Sequence, residues 1–254
     1  MDVGHGDAAF IQFPGQGNLL VDTGIGGDWD QGKLTVAPFL WSQGITHLDG
    51  ILITHPHFDH YGGLAYLLKE FSVGTVFDNG NRAVPEYEKY FSGANVERKT
   101  LNRGDALLGN SLALMEVLHP PKSWISPDAV SPNDQSIVVQ LQYGRQTILL
   151  SGDAEEKALM EMMRVYPDLK ADILKVPHHG SHDHLPGELF FNQVNPKVSI
   201  ISEAEKNVYG LPSPKTVQIL QNLNSRIYQT GIEGAVTYKT DGAQWTAHSK
   251  NEAN

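Results

Sequence analysis

Short apolar runs recur along this chain, and their period shifts between that of a strand and that of a helix. The run DGILITH is apolar and β-branched, the form of a buried strand, and NLLVD, TVFDN and KVSIIS read the same way. SLALMEVLH, SIVVQLQYG and QTILLSGD follow one another as consecutive strands, and ADILKVPHH is a further one. Leu64, Leu67, Leu68 and Phe71 recur at helical spacing, which predicts a helix over 63–71. Helices are also expected over 36–43, over 85–91 behind a leading proline, and near 186–194. EEKALMEMMRVY is the best helical pattern, and its acidic opening suits the positive end of the helix dipole. SPKTVQILQNL adds another helix, with Ser213 at the N-cap and Pro214 in the first turn. The opening, MDVGHGDAAFIQF, reads as a strand already under way at its first residue, followed by a turn at Pro14 and Gly15. RIYQTG and AVTYKT read as the two closing strands. Helices fall between strands in both halves, so an α/β architecture with sheets packed inside helices is expected.

Composition narrows this further. The chain has 254 residues, 40% of them hydrophobic and 19% charged, enough to bury a substantial core. No apolar run approaches the roughly 20 residues that span a bilayer. No signal-peptide pattern precedes the first motif. There is no cysteine, so any metal must be held by His, Asp, Glu or Asn. That absence fits either side of a membrane. The net charge of −10 argues against a broad basic surface for nucleic acid. The abrupt start predicts a domain cut from a longer protein, occupying residues 1–247, with 248–254 as a frayed tail.

The densest chemistry is THPHFDHYGG, where His55, His57, Asp59 and His60 fall within six positions. Alternation along a strand puts His55 and His57 on one side, and Asp59 and His60 can face back after a short turn. Gly62 and Gly63 would then let the backbone bend and start a helix. Imidazole and carboxylate are the usual ligands of zinc and similar divalent ions, and four of them so close suit two neighbouring ions sharing a wall. A polar turn that happens to be rich in histidine remains the plainer alternative. Asp153, closing TILLSGD, could bridge two cations or cap the helix that follows. His178 and His179 end another strand, ahead of Gly180 and Ser181, and could be ligands or an exposed turn. Asp22 in LVDTG suits an orienting carboxylate behind a ligand. All of these sit where strands run out, and sites gather at strand ends in layered α/β folds.

HPHFDHYGG resembles the His-x-His-x-Asp-His motif of the metallo-β-lactamase superfamily. DVGHGDAAFI, LLVDTG, ITHLDGILITHPHFDHYGGL, NDQSIVVQLQYGRQTILLSGDAE, ADILKVPHHGSH and NVYGLPSP, in this order over nearly the whole chain, resemble the soluble domain of ComEC-type DNA-internalisation competence proteins. The resemblance implies a four-layer αββα sandwich with a dinuclear site at one edge, holding two divalent metal ions, zinc or manganese, and no organic cofactor. It implies a DNase that degrades the non-imported strand during natural transformation. Its partners would be single-stranded DNA and the membrane channel portion of the same parent, on the extracytoplasmic face of the membrane.

Carried over residue by residue, His55 and His57 would hold the first metal, Asp59, His60 and His178 the second, and Asp153 would bridge them. The histidine that the superfamily usually adds to the first metal is replaced by Asn133, with Asp134 beside it and His119 at the wrong end of that loop. His5 stands where many relatives have glutamine, and Leu211 where some have histidine. Asp59 would also orient the nucleophile. His179, Lys175 and Ser181 are candidates for contacting the phosphate or protonating the leaving group. Two other readings stay open: a metallohydrolase of another phosphodiester or a lactone, and a catalytically decayed domain that guides DNA.

Overall fold

The structure is a computed structural model, which describes residues 1–107, 113–126 and 129–249. One sheet has the order β1 (Ala9–Phe13), β2 (Gln16–Val21), β3 (His47–Leu52), β4 (Ser72–Asp78), β5 (Glu97–Thr100). The hairpin β1–β2 is antiparallel and β2 to β5 run parallel. The second sheet contains β6 (Ala106–Leu107), β7 (Ala113–His119), β8 (Val138–Tyr143), β9 (Gln146–Leu150), β10 (Ile173–Lys175), β11 (Val198–Ile201) and β12 (Arg226–Gln229), adjacent in that order. Its first four strands are antiparallel, and β9 to β12 run parallel. A hairpin of β13 (Val236–Thr240) and β14 (Trp245–Ser249) stands apart.

Strand alternation explains the layers. In β2, Leu19 and Val21 enter the core between the sheets, while Leu20 turns to the outer core under α1 (Ala37–Ser42). Helices α2 (Phe58–Tyr61), α3 (Leu64–Glu70) and α4 (Pro85–Glu88) follow on the first half of the chain, and Tyr61, Leu64, Leu67 and Tyr87 join that outer core. In the other half, Val139 faces the inner core and Val138 the outer one. That outer core is covered by α5 (Glu156–Val165), α6 (Glu188–Val194) and α7 (Pro214–Asn222). A short α8 (Thr230–Glu233) follows β12. The layers are therefore helix, sheet, sheet, helix.

Several expectations shift. The first strand begins at Ala9 instead of Met1, because Gly4 and Gly6 take positive φ and fold the opening into a turn that buries Asp7. Ser213 does sit at the N-cap of α7, but its side chain makes no capping bond. AVTYKT is not the last strand, since β14 pairs with it and runs through Ser249, into the tail expected to fray. Residues 250–254 lie outside the described residues.

The glycine pair after His60 has a different purpose from the one expected. Gly62 has ordinary helical φ and ψ, so no bend requires it. A Cβ on Gly62 would instead lie 2.0 Å from the backbone nitrogen of Gly26, and one on Gly63 2.5 Å from the carbonyl oxygen of Thr23. The helix carrying Asp59 and His60 lies backbone to backbone on the 23–32 loop.

Candidate metal centre

The carboxyl ends of parallel strands in both sheets come together at one place, the usual position for a site in such a fold. Asp22 follows β2, His55 follows β3, Asp153 follows β9, and the Pro177–Gly180 turn follows β10. Cross-links hold these ends in place. Ile137 N donates to Thr54 O, His178 N to Gly152 O, and Ser202 Oγ to Gly6 O.

Four side chains converge so that one donor atom from each of Asp59, His60, Asp153 and His179 lies within 4.8 Å of the others. His60 Nε2 is 3.2 Å from Asp153 Oδ2 and 3.7 Å from Asp59 Oδ2. His179 Nε2 is 3.4 Å and 3.5 Å from the same two oxygens. Beside this group, His55 Nε2 faces His57 Nδ1 at 3.0 Å. A divalent cation fits the donor set. His60 Nε2, His179 Nε2 and Asp153 Oδ1 are buried without a hydrogen-bond partner, and buried polar atoms are normally paired.

The outer nitrogens of the two inner rings are anchored. His60 Nδ1 lies 2.8 Å from Asp22 Oδ2, and His179 Nδ1 2.8 Å from the carbonyl oxygen of Ser202. A ring that donates from Nδ1 presents the Nε2 lone pair inward, as a metal-holding histidine must. Asp22 also accepts from Thr54 N at 2.8 Å and Thr54 Oγ1 at 2.9 Å. Asp22 thus fixes the His60 ring from behind, in a left-handed backbone conformation, φ 58°.

Charge is distributed unevenly. Burial opposes protonation of His60, but Asp153, Asp22 and Asp59 outweigh it and push the ring well above its ordinary value. Burial likewise opposes charge on His179, which Asp153 and Asp59 nevertheless raise to about 10. Burial would raise Asp153 and Asp59, yet the neighbouring imidazoles hold both below the usual carboxylate range. His55 and His57 are lowered, chiefly by burial, and so are neutral donors. The two carboxylates thus favour positive charge at the point where the four side chains meet, as a cation-binding cluster requires.

The Pro177–Gly180 turn reverses one expectation. His179, not His178, joins Asp59, His60 and Asp153. Strand pairing ends at Lys175, so alternation no longer decides which side chain faces in. His178 and His179 both adopt left-handed conformations, with φ 47° and 52°. That twist turns His179 inward and leaves His178 Nδ1 at 3.3 Å from Glu155 Oε1.

Lys175 differs too. It is buried, ion-paired with Asp7, and donates to the Gly152 carbonyl at 3.1 Å, so it lies behind the cage instead of facing a substrate. Ser181 is buried, with its carbonyl accepting from Thr216 Oγ1 at 3.4 Å. Asp134 Oδ1 accepts from Ala158 N at 3.0 Å in the first turn of α5, and His119 Nε2 pairs with the Asp134 carbonyl at 2.8 Å. Both are structural anchors. Asn133 Nδ2 donates to Glu155 Oε1 at 2.8 Å, while its Oδ1 is buried and unpartnered. Asp153 caps no helix; the residue before α5 is Glu155.

Asp7 and Ser202 were not anticipated as supports. Asp7 was legible only as the acidic end of GHGD, and Ser202 had no local signal. Asp7 Oδ2 lies 3.9 Å from His60 Nδ1 and belongs with Asp22 and His60 to a second acidic group.

This fold and cluster define a member of the metallo-β-lactamase superfamily. The chain belongs to that superfamily, which residues 1–189 match. Within it, the chain is similar to ComE operon protein 3 of Bacillus subtilis (35% identity, covering 94% of this chain and 32% of that protein). It is also similar to Recombination protein 2 of Haemophilus influenzae (30% identity, 93% and 28%). These relatives fit ComEC-type competence proteins, and the chain spans about a third of their length. A solved structure, the metallo-beta-lactamase fold protein YhfI from Bacillus subtilis, matches with a TM-score of 0.56 over 88% of each chain, at 11% identity. That likeness concerns the fold alone. Among the described residues, no helix is long and apolar enough to cross a membrane.

Proposed function

We propose that the chain is a metal-dependent phosphodiesterase, acting as a DNase on the strand not imported during DNA uptake. One observation carries this reading: Asp59, His60, Asp153 and His179 converge from two sheets, with unpartnered donor atoms aimed at one point. The His55–His57 pair beside them supports a second cation position, which Asp153 would share and to which the unpartnered Asn133 Oδ1 would be a further donor. Zinc and manganese both suit such oxygen and nitrogen donors. Divalent cations there supply Lewis acidity toward a phosphoryl oxygen and activate water.

The chain's own groups do the rest. Asp22 and the Ser202 carbonyl fix the rings of His60 and His179. Asp153 is nearly sealed, whereas the Asp59 side chain is 22% exposed. Asp59 is therefore the carboxylate placed to orient attacking water. Lys175, buried with Asp7, offsets the negative charge collected behind the cage.

The competence relatives support a DNA-uptake context and a membrane-associated parent; single-stranded DNA as substrate, a membrane channel in that parent and an extracytoplasmic position complete the proposal. The net charge of −10 favours a second reading, a smaller diester or a lactone as substrate. Cleavage of a labelled single strand with manganese or zinc tests the first. Alanine at Asp59 or at Asp153 is expected to lower it by at least about 100-fold, the scale of a lost transition-state charge contact. Unaltered cleavage by both variants sinks the assignment. Competition by a small diester or lactone, with no cleavage of DNA, selects the second reading.

A further inference from the structure

We infer that Tyr209 is a nucleobase-stacking platform at the mouth of the metal centre, an inference that rests on the phosphodiesterase reading. The Tyr209 ring stacks on His5, with centroids 4.7 Å apart and planes at 27°. The His5 ring lies 4.6 Å from that of His179, and its Nε2 is 3.6 Å from Asp59 Oδ2. A row of rings therefore leads outward from a metal-holding side chain to Tyr209. Its last member is 64% exposed, beside Val208 at 93%.

The exposure is not that of a loose loop. Asn207 Nδ2 donates to Glu203 Oε2, Ala204 O and Leu211 O, while its Oδ1 accepts from Tyr209 N and Leu211 N. Farther along, Ser213 N donates to Gly180 O at 3.0 Å, so the segment is tied to the turn that delivers His179. The ring is held in place before any ligand arrives, which keeps the ordering cost of binding low.

Given a nucleic-acid substrate, the charge decides how it would be held. With a net charge of −10, the chain has little capacity to gather a polyanion by phosphate neutralisation. Lys175, the lysine in the cluster, is buried and paired with Asp7. Stacking supplies affinity that does not depend on basic side chains, and it accepts any base because every base has a π-face. The subsite therefore takes a base close to the phosphate being hydrolysed and gives weak sequence preference.

The test compares wild type, Tyr209→Phe and Tyr209→Ala on two manganese-supported substrates of equal length: oligothymidylate and a fully abasic phosphodiester strand. Wild type and Tyr209→Phe should show a KM about tenfold lower for oligothymidylate, the size of one stacked base. In Tyr209→Ala that ratio should collapse toward unity, with metal content equal to wild type. A purely structural role for the ring would not make the two strands equivalent. Cleavage of both strands by Tyr209→Ala with the wild-type KM ratio overturns the platform and leaves the phosphodiesterase reading standing. Failure of wild type to cleave either strand overturns both.

Discussion

At the scale of single residues, the centre is defined by which nitrogen or oxygen is left unpaired. His178 and His179 are adjacent and chemically identical, yet only His179 has one nitrogen anchored on Ser202 and the other buried without a partner. Two consecutive left-handed residues cost on the order of 1–3 kcal/mol each, and such strain collects at functional sites. His179→Ala should therefore remove tightly held metal, read by elemental analysis after dialysis. His178→Ala, which loses its approach to Glu155, should retain it. The reverse order would move the centre to the wrong histidine. Sequence alone shows a His pair after a strand; it does not show the handedness of the turn, which depends on φ at both positions. Lys175 and Ser181, expected as candidates for contacting a phosphate, are buried. Their sequence neighbours are site residues, but burial and hydrogen bonding decide whether a side chain faces water.

At the scale of elements, most of the architecture could be read from periodicity, because β2, β3, β8 and β9 alternate between two cores and α3 and α5 bury one stripe each. The parts that could not be read have little local signal. β5 is ERKT, four polar residues that form a strand only because Thr75 to Asp78 offer a paired edge. Arg98 in β5 makes this tertiary cause concrete. Its guanidinium bonds Asp78 Oδ2 at 2.5 Å and both oxygens of Glu88 at 2.8–2.9 Å, and stacks 3.8 Å from the Phe91 ring. The bonds from Arg98 hold Glu88 below its ordinary 4.5, against a smaller effect of burial. A depressed folded-state pKa adds stability above the unfolded value and loses it as pH falls through the folded one. Arg98→Ala should thus destabilise the fold at neutral pH by about 1–3 kcal/mol, because the buried Asp78 loses one of its two arginine partners and keeps Arg82. It should also flatten the loss of stability below pH 4.5 relative to wild type. Parallel urea midpoints for both proteins across that range would contradict the ion pair's role. The Gly62–Gly26 contact is a second such dependence. Gly62→Ala forces two backbones apart and should cost at least about 1–3 kcal/mol in urea unfolding. Wild-type stability in that variant would mean that the contact yields freely.

At the scale of the whole molecule, the donor set spans the two sheets. Asp59 and His60 follow β3 of the first, whereas Asp153 and His179 follow β9 and β10 of the second. The inner core between the sheets is apolar and holds them face to face, but at the edge where the strand ends meet the contact consists of buried charges. There, two imidazoles and two carboxylates face one another. A cation bound among them would link sequence-distant halves of the chain, and the unfolded chain has no such site. Its binding free energy is therefore folding free energy. At a free metal concentration about 100 times Kd, the stabilisation is about 2.7 kcal/mol. For a chain of this size that corresponds to a rise in Tm of roughly 5–10 °C. Chelation should reverse the rise, and Asp153→Ala should abolish it, because Asp153 is one of the four converging side chains and the most deeply buried carboxylate among them. A Tm that ignores manganese and zinc up to millimolar levels, in a wild type stripped of metal, would leave the convergence of the two sheets without a ligand to explain it. The rise is a thermodynamic readout independent of any substrate, so it separates a working metal cage from a decayed one even before a nucleic acid is tried.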